Sequence, residues 1–276
     1  MEKTFALGRW FCRMSLLALA GFLLAGCTTV PVTGRHELNF IPADQEMQLG
    51  LTSFDQLKKD TPINNDPAIN AMVQRVGKRI AAVASKDMPD AKWEFVVFES
   101  KEANAFCLPG GKVGVYTGIL PITQNEAGLA TVIGHEVGHA VAHHGAARMS
   151  EALAAQGIGQ AASAYLGSTK YAQYQNLFEG AYGVGSKLAV ELPHSREQES
   201  EADHIGIIYM ARAGYDPREA VGFWKRFAAY STQQGNQQSF LTKFLSTHPL
   251  DSKRIQDLER LLPQAEAEYA RSEKAP

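Results

Sequence analysis

The 276-residue sequence predicts an α+β fold that is mostly helical, with a small β-sheet or hairpin packed against one long alanine-rich helix. Three observations carry this expectation. Apolar residues recur at helical spacing over residues 43–59, 66–84 and most of the chain after Asn125. Aromatic and β-branched residues concentrate between 93 and 118, around a Pro-Gly-Gly turn. Finally, 45% hydrophobic and 20% charged residues fit one domain with a sizeable core. Lys plus Arg total 27 against 29 Asp plus Glu with no long basic block, which argues against a nucleic-acid surface.

At the start of the chain, Lys3, Arg9 and Arg13 precede the apolar run SLLALAGFLLA, about half the length needed to cross a bilayer. This reads as an export signal. Leu24 to Cys27, LAGC, resembles the lipobox of a bacterial lipoprotein, which implies that residues 1–26 are a signal peptide and that Cys27 is a lipid anchor. Removal of residues 1–26 leaves 24 basic against 28 acidic residues. Cys107 is then the one remaining thiol, so no disulfide framework is expected. Residues 27–42, with their Pro, Thr and Gly, are expected to form an extended tether. A single domain over 43–265 and a short tail over 266–276 complete the organisation.

Two helices are expected at 43–59 and 66–84, then the strand WEFVVFES at 93–100 and a hairpin within NAFCLPGGKVGVYTG, residues 104–118. Asn125 is a plausible N-cap for a helix running unbroken through His135, His139 and Ala147 to about residue 165. The Gly-, Tyr- and Gln-rich stretch 167–185 has little periodicity and suits a loop or a short helical hairpin. Residues 194–214 form a helix ending at Gly214, Asp216 and Pro217 start the next, and STHPLDSKRIQDLERLL holds a turn and the last helix.

Chemistry concentrates in GHEVGHAVAHHG, residues 134–145. His135, Glu136 and His139 make HExxH: the histidines stand one turn apart on one helix face, where both imidazoles reach a single zinc ion, and Glu136 lies beside them. A carboxylate so placed takes a proton from zinc-activated water and passes it to a leaving amine, which is amide hydrolysis. Gly134 and Gly138 leave room for close approach by the sheet or by substrate. A histidine six residues beyond His139 would complete one known ligand set, but that position is Gly145. His143 shares the ligand face yet lies ~12 Å along the axis from His135, which puts it beside the site or at the cleft edge. His144 points away and is expected to be a structural hydrogen-bonding residue. The third ligand is then a carboxylate, and REQESEAD offers two i,i+4 pairs, Glu199 with Asp203 and Glu197 with Glu201, in either of which one member can bind metal while the other orients a histidine.

HExxH followed about sixty residues later by S-R-x-x-E-x-E-A-D-x-x-G, then by T-H-P-x-x-x-x-R-I, resembles the gluzincin metallopeptidase family of HtpX, the CAAX prenyl protease and LoiP, over roughly Asn104 to Ile255. The resemblance implies a zincin-like metalloprotease core and one zinc ion held by His135, His139 and Glu199. Asp203 would support the site, with Glu197 and Glu201 structural. It also implies that the strand holding Asn104, Ala105 and Phe106 pairs with substrate backbone, which would give broad sequence tolerance. His248 matches a family histidine near the metal that either holds the transition state or covers the zinc at rest. Arg254 follows in the same motif and is expected to pair with a carboxylate near the site. His194 departs from the pattern, standing where an aromatic residue is expected, and Cys107 lies in the substrate-side strand.

The function these features point to is a lipid-anchored, outer-membrane zinc endopeptidase facing the periplasm and cutting misfolded or unassembled envelope proteins. Thr28 rather than an aspartate after Cys27 favours the outer membrane. Two other readings compete: an envelope assembly factor or chaperone with an autoinhibited zinc site, and a deformylase-type hydrolase using Cys107 as a ligand.

Overall fold

A computed structural model describes residues 27–155, 177, 178, 181, 182, 195–233, 247, 248 and 252–275. Residues 1–26, for which a signal peptide is expected, His194 and most of the 167–185 stretch lie outside the described residues. In chain order the elements are β1 (Cys27–Thr29), β2 (His36–Leu38), α1 (Ala43–Asp60), α2 (Pro67–Ala84), β3 (Glu94–Phe98), β4 (Ala105–Leu108), β5 (Lys112–Tyr116), α3 (Leu120–Thr123), α4 (Glu126–Val141), α5 (His144–Ala155), α6 (Arg196–Arg212), α7 (Arg218–Gln233) and α8 (Ser252–Arg271). The fold is α+β and mostly helical, as the periodicity predicts.

Local chemistry sets the helix starts. Asp66 accepts from the amides of Ala68 and Ile69, with Pro67 pre-set in the first turn of α2. Asn125 caps α4 through the amide of Gly128 at 2.8 Å, and Ser195 with Gln198 forms a reciprocal capping box on α6.

The sheet has the order β3-β5-β4, with β3 and β5 parallel and β4 antiparallel to β5, so β4 is an edge strand. Its side chains alternate between two cores. Ala105 and Cys107 face the larger one, with Val97, Val113, Val115 and the apolar faces of α2, α4, α6 and α7. Phe106 and Leu108 face the smaller one, with Phe54, Phe98, Tyr116 and Met149. Period-two alternation therefore buries both faces. Gly114 is required on β5 because a Cβ there would stand 2.2 Å from the Phe106 ring. Gly110 and Gly111 make the β4–β5 turn at φ 82° and 76°.

Two organisational expectations are corrected. Residues 27–42 are not a simple extended tether: β1 and β2 pair antiparallel, Cys27 opposite Leu38, and Val30 is buried in the larger core. The helix from Asn125 is not unbroken to 165. Its amides stop propagating at Ala142, His143 takes φ 53°, and α5 starts afresh at His144. The tail expected over 266–276 is helical as far as Arg271, as part of α8, and the chain beyond it is held by Arg79 of α2, which donates to the Glu273 carbonyl (2.6 Å), and by Gly214 after α6, whose carbonyl accepts from Ala275 N (2.8 Å).

Candidate metal centre

The site is made where α4 crosses α6. The room left by Gly134 and Gly138 is taken by α6 rather than by the sheet or a substrate: Cβ atoms there would stand 2.9 Å from the Gly206 carbonyl oxygen and 2.8 Å from that of Ala202. Gly206 returns the favour, with His135 N 2.8 Å from its would-be Cβ. Glycine against glycine lets the two backbones touch. One turn and two turns along α6 from Gly206, Asp203 and Glu199 are thereby carried to the histidines of α4.

His135, Glu136, His139, Glu199, Asp203, His248 and Arg254 are all buried. His135 Nε2 and His139 Nε2 are 3.1 Å apart. Glu199 Oε1 lies 3.3 Å from His139 Nε2, and Glu199 Oε2 lies 3.6 Å from His135 Nε2. His248 Nδ1 closes the group, 3.3 Å from His135 Nε2 and 3.0 Å from Glu199 Oε1. Tetrahedral zinc with bonds of about 2.0–2.1 Å separates its ligand atoms by about 3.3 Å, so the spacing fits such an ion. Among the described residues His135, His139, Glu199 and His248 are the group able to hold a metal.

Outer contacts hold these side chains. Asp203 Oδ1 stands 2.9 Å from His135 Nδ1, which directs the opposite nitrogen into the centre. Arg254 spans both carboxylates, donating to Asp203 Oδ2 (2.7 Å) and Oδ1 (2.8 Å) and approaching Glu199 Oε2 at 2.7 Å. Its guanidinium stacks over Trp224, 3.7 Å from the ring centre. On the other side, His139 Nδ1 meets His144 Nδ1 at 2.8 Å, and His144 Nε2 meets Glu201 Oε2 at 2.9 Å.

Charge follows from these neighbours. Burial pushes the Glu199 carboxyl up, but His248 and Arg254 outweigh it and hold the group well below the usual carboxylate range. Asp203 is lowered too, burial being overcome chiefly by Arg254. Glu136 goes the other way: burial raises it, and its Oε1 has no hydrogen-bond partner among the described residues. His248 Nε2 is 3.6 Å from that oxygen. Burial also brings His144 down to about 4, so it is neutral at pH 7.

The structure thus gathers His135, Glu136, His139, Glu199, Asp203, His248 and Arg254, all singled out in the sequence. Asn104, Ala105 and Phe106 are buried at the edge strand that packs on α4. Cys107 is buried with its thiol 3.7 Å from the Leu108 carbonyl and, among the described residues, is outside the metal-binding group, which argues against its serving as the ligand of a deformylase set. His143 turns out to face Glu46, at 2.9 Å, with a side chain 41% exposed. The expectation that His144 points away is wrong because α4 ends before it: the turn at His143 swings the ring back to His139. Trp224 and the Glu201 contacts escaped sequence reading, since nothing local marks a packing partner two helices away.

Residues 67–262 match the model of peptidase family M48. The mitochondrial metalloendopeptidase OMA1 of Schizosaccharomyces pombe is 35% identical over 88% of this chain and 69% of its own length. The beta-barrel assembly-enhancing protease of Escherichia coli is 27% identical over 83% of this chain but only 46% of its own length; the corresponding Yersinia pestis protein is 28% identical over 88% and 51%. A family match across most of the chain, joined to a buried HExxH cluster completed by a glutamate from the next long helix, leads to one assignment: the chain belongs to peptidase family M48 and is a metallopeptidase.

Proposed function

We propose that this chain is a lipid-anchored, zinc-dependent endopeptidase of a bacterial envelope, hydrolysing peptide bonds of misfolded or unassembled envelope proteins. The observation that carries the catalytic part is the convergence of His135 Nε2, His139 Nε2 and the Glu199 carboxylate, with Glu136 Oε1, which has no hydrogen-bond partner among the described residues, beside them. Two imidazole lone pairs and an anionic carboxylate facing one another in a buried site call for a cation, and two histidines with one glutamate suit zinc.

When bound there, zinc would supply Lewis acidity and bring the pKa of water to about 7. Glu136, raised by burial, accepts a proton from the attacking water and delivers it to the leaving amine. Asp203 and Arg254 keep His135 and Glu199 in place through that exchange. Edge strand β4, from Ala105, offers a main-chain edge for an extended substrate, binding that depends little on sequence. The envelope address rests on the leader 1–26, on Cys27 and Thr28, and on bacterial relatives whose names describe β-barrel assembly. No described helix is long and apolar enough to cross a membrane, which is compatible with anchoring through lipidated Cys27.

A second reading is favoured by His248. Its Nδ1 stands 3.3 Å from His135 Nε2 and 3.0 Å from Glu199 Oε1, so His248 could itself serve as a fourth ligand to a zinc ion held there. This is the arrangement of a covered site, as an assembly factor or chaperone that cleaves rarely would have.

Metal content and cleavage of an unfolded test protein separate the roles. The parent should bind about one zinc and cleave; Glu136→Gln should keep the metal and lose about 10²–10⁴-fold in rate; Glu199→Gln should lose both. Zinc binding without any cleavage, with His248→Ala releasing activity, would move the covered-site reading to the front. Cleavage that survives a chelator would refute the metal mechanism.

A further inference from the structure

Glu201 is a buried carboxylate on α6 that neither binds the metal group nor pairs with Arg254. It is nonetheless saturated with donors: Thr33 Oγ1 on Oε1, Arg35 Nε on Oε2 at 2.6 Å, and His144 Nε2 on Oε2 at 2.9 Å. The first two come from the segment that joins β1 to β2 in the hairpin, more than 160 residues away in sequence. Burial together with Arg35, Thr33 and His144 makes this a specific tie rather than a surface pair.

The hydrogen-bond polarity is set from its two ends. A carboxylate accepts only, so His144 donates from Nε2. At the other end His139 turns Nε2 toward His135 and Glu199, and to offer a lone pair there it carries its proton on Nδ1. That proton is donated to His144 Nδ1, 2.8 Å away. His135 reaches the same tautomer through Asp203 directly. The two histidines of the HExxH motif are thus set by two carboxylates of one helix, one in contact and the other through an intervening imidazole.

We propose that His144 and Glu201 are positioning residues for metal binding, and that the β1–β2 hairpin, through Thr33 and Arg35, is the outer layer of the same support. This rests on the metal site proposed above. Its consequence is that docking of the N-terminal hairpin and retention of the metal are coupled, although Thr33 and Arg35 are not themselves members of the metal group.

The experiment is zinc affinity of the full chain by competition with a chromophoric chelator, for the parent, His144→Phe and Arg35→Gln, with far-UV circular dichroism as a check on folding. His144→Phe keeps the ring and removes the bridge, so affinity should fall about 10–100-fold. Arg35→Gln, on a half-exposed side chain, should weaken it at least about two-fold, the scale of one hydrogen bond. The spectroscopic signature is in ¹⁵N-histidine-labelled parent: His144 should show a protonated Nε2 and a bare Nδ1, and His139 the reverse. Parent affinity retained in His144→Phe would overturn the bridge, and parent affinity retained in Arg35→Gln would overturn the hairpin's part in it. Should His144→Phe fail to fold, the opposite tautomer at His144 in the parent overturns the proposal by itself. A parent that takes up no zinc would instead refute the metal site, a different failure from an unmoved variant.

Discussion

Gly206→Ala is the sharpest test of how the site is assembled. A methyl group at Gly206 would stand 2.8 Å from His135 N, 2.9 Å from Gly134 C and 3.0 Å from His135 Cα, all backbone of α4. Ordinary contact begins near 3.4 Å, so α6 must retreat by about 0.6 Å, and no flexible side chain can absorb the shift. Overpacking of this kind costs about 1–3 kcal/mol, against which alanine gains about 1 kcal/mol in helix propensity. The net loss should be up to about 2 kcal/mol, read as a fall of up to about 8 °C in Tm. The same retreat carries Glu199 and Asp203 away from the histidines by more than the ~0.2 Å a metal site tolerates. Zinc affinity should therefore drop about tenfold or more. Gly222→Ala is the control: its new methyl meets only the ends of the Arg226 and Glu219 side chains, at 3.2 and 3.3 Å, and should leave zinc binding alone while raising stability by up to about 1 kcal/mol. Calorimetry and chelator competition read both. If Gly206→Ala melts no lower than the parent and holds zinc as tightly, the glycine seam does not set the ligand geometry.

Other perturbations follow from the same contacts. Arg254→Met leaves Glu199 and Asp203 buried without their cation, and chemical denaturation of the metal-free protein should show a loss of about 3–5 kcal/mol, part of it recovered on adding zinc; an unchanged midpoint would remove Arg254 from the site's support. Cys107→Ser should keep one zinc per chain by elemental analysis, since the thiol is outside the metal group; loss of the metal would revive the deformylase ligand set. Glu201 is held down to about 2 from its ordinary 4.5: burial opposes this, but the hydrogen bonds from His144, Arg35 and Thr33 prevail. The pairing therefore stabilises the fold fully above pH 4.5 and is lost as pH falls toward 2. Urea midpoints of the metal-free chain should decline over that window more steeply than those of Glu201→Gln, and parallel curves would mean the ties to Glu201 contribute nothing.

The sequence by itself determined a good deal. Helical spacing placed α1 and α2 within a residue or two of where they lie, and the Pro-Gly-Gly turn placed the β4–β5 hairpin, because these signals are local. HExxH has the same property: an i,i+4 pair on one helix faces one way wherever the helix goes. Residue spacing also narrowed the third ligand to two i,i+4 carboxylate pairs, and the family resemblance chose between them.

Tertiary structure decided the rest. Which carboxylate of REQESEAD meets which histidine depends on where α4 crosses α6, and that is set by Gly134, Gly138 and Gly206, whose missing side chains register as an absence in the sequence. The break at His143 could not be read because a non-glycine residue at φ 53° has no local signature. That one turn reverses the aim of His144. It converts a residue that helical geometry points away from the centre into the neighbour of His139, and Glu201 into its anchor. Residues 27–42 look like a tether in composition, yet they pair as a hairpin and dock through Thr33 and Arg35 on a helix more than 160 residues later. Contacts at that separation come from packing, where side-chain volume and charge meet partners that no window along the chain contains.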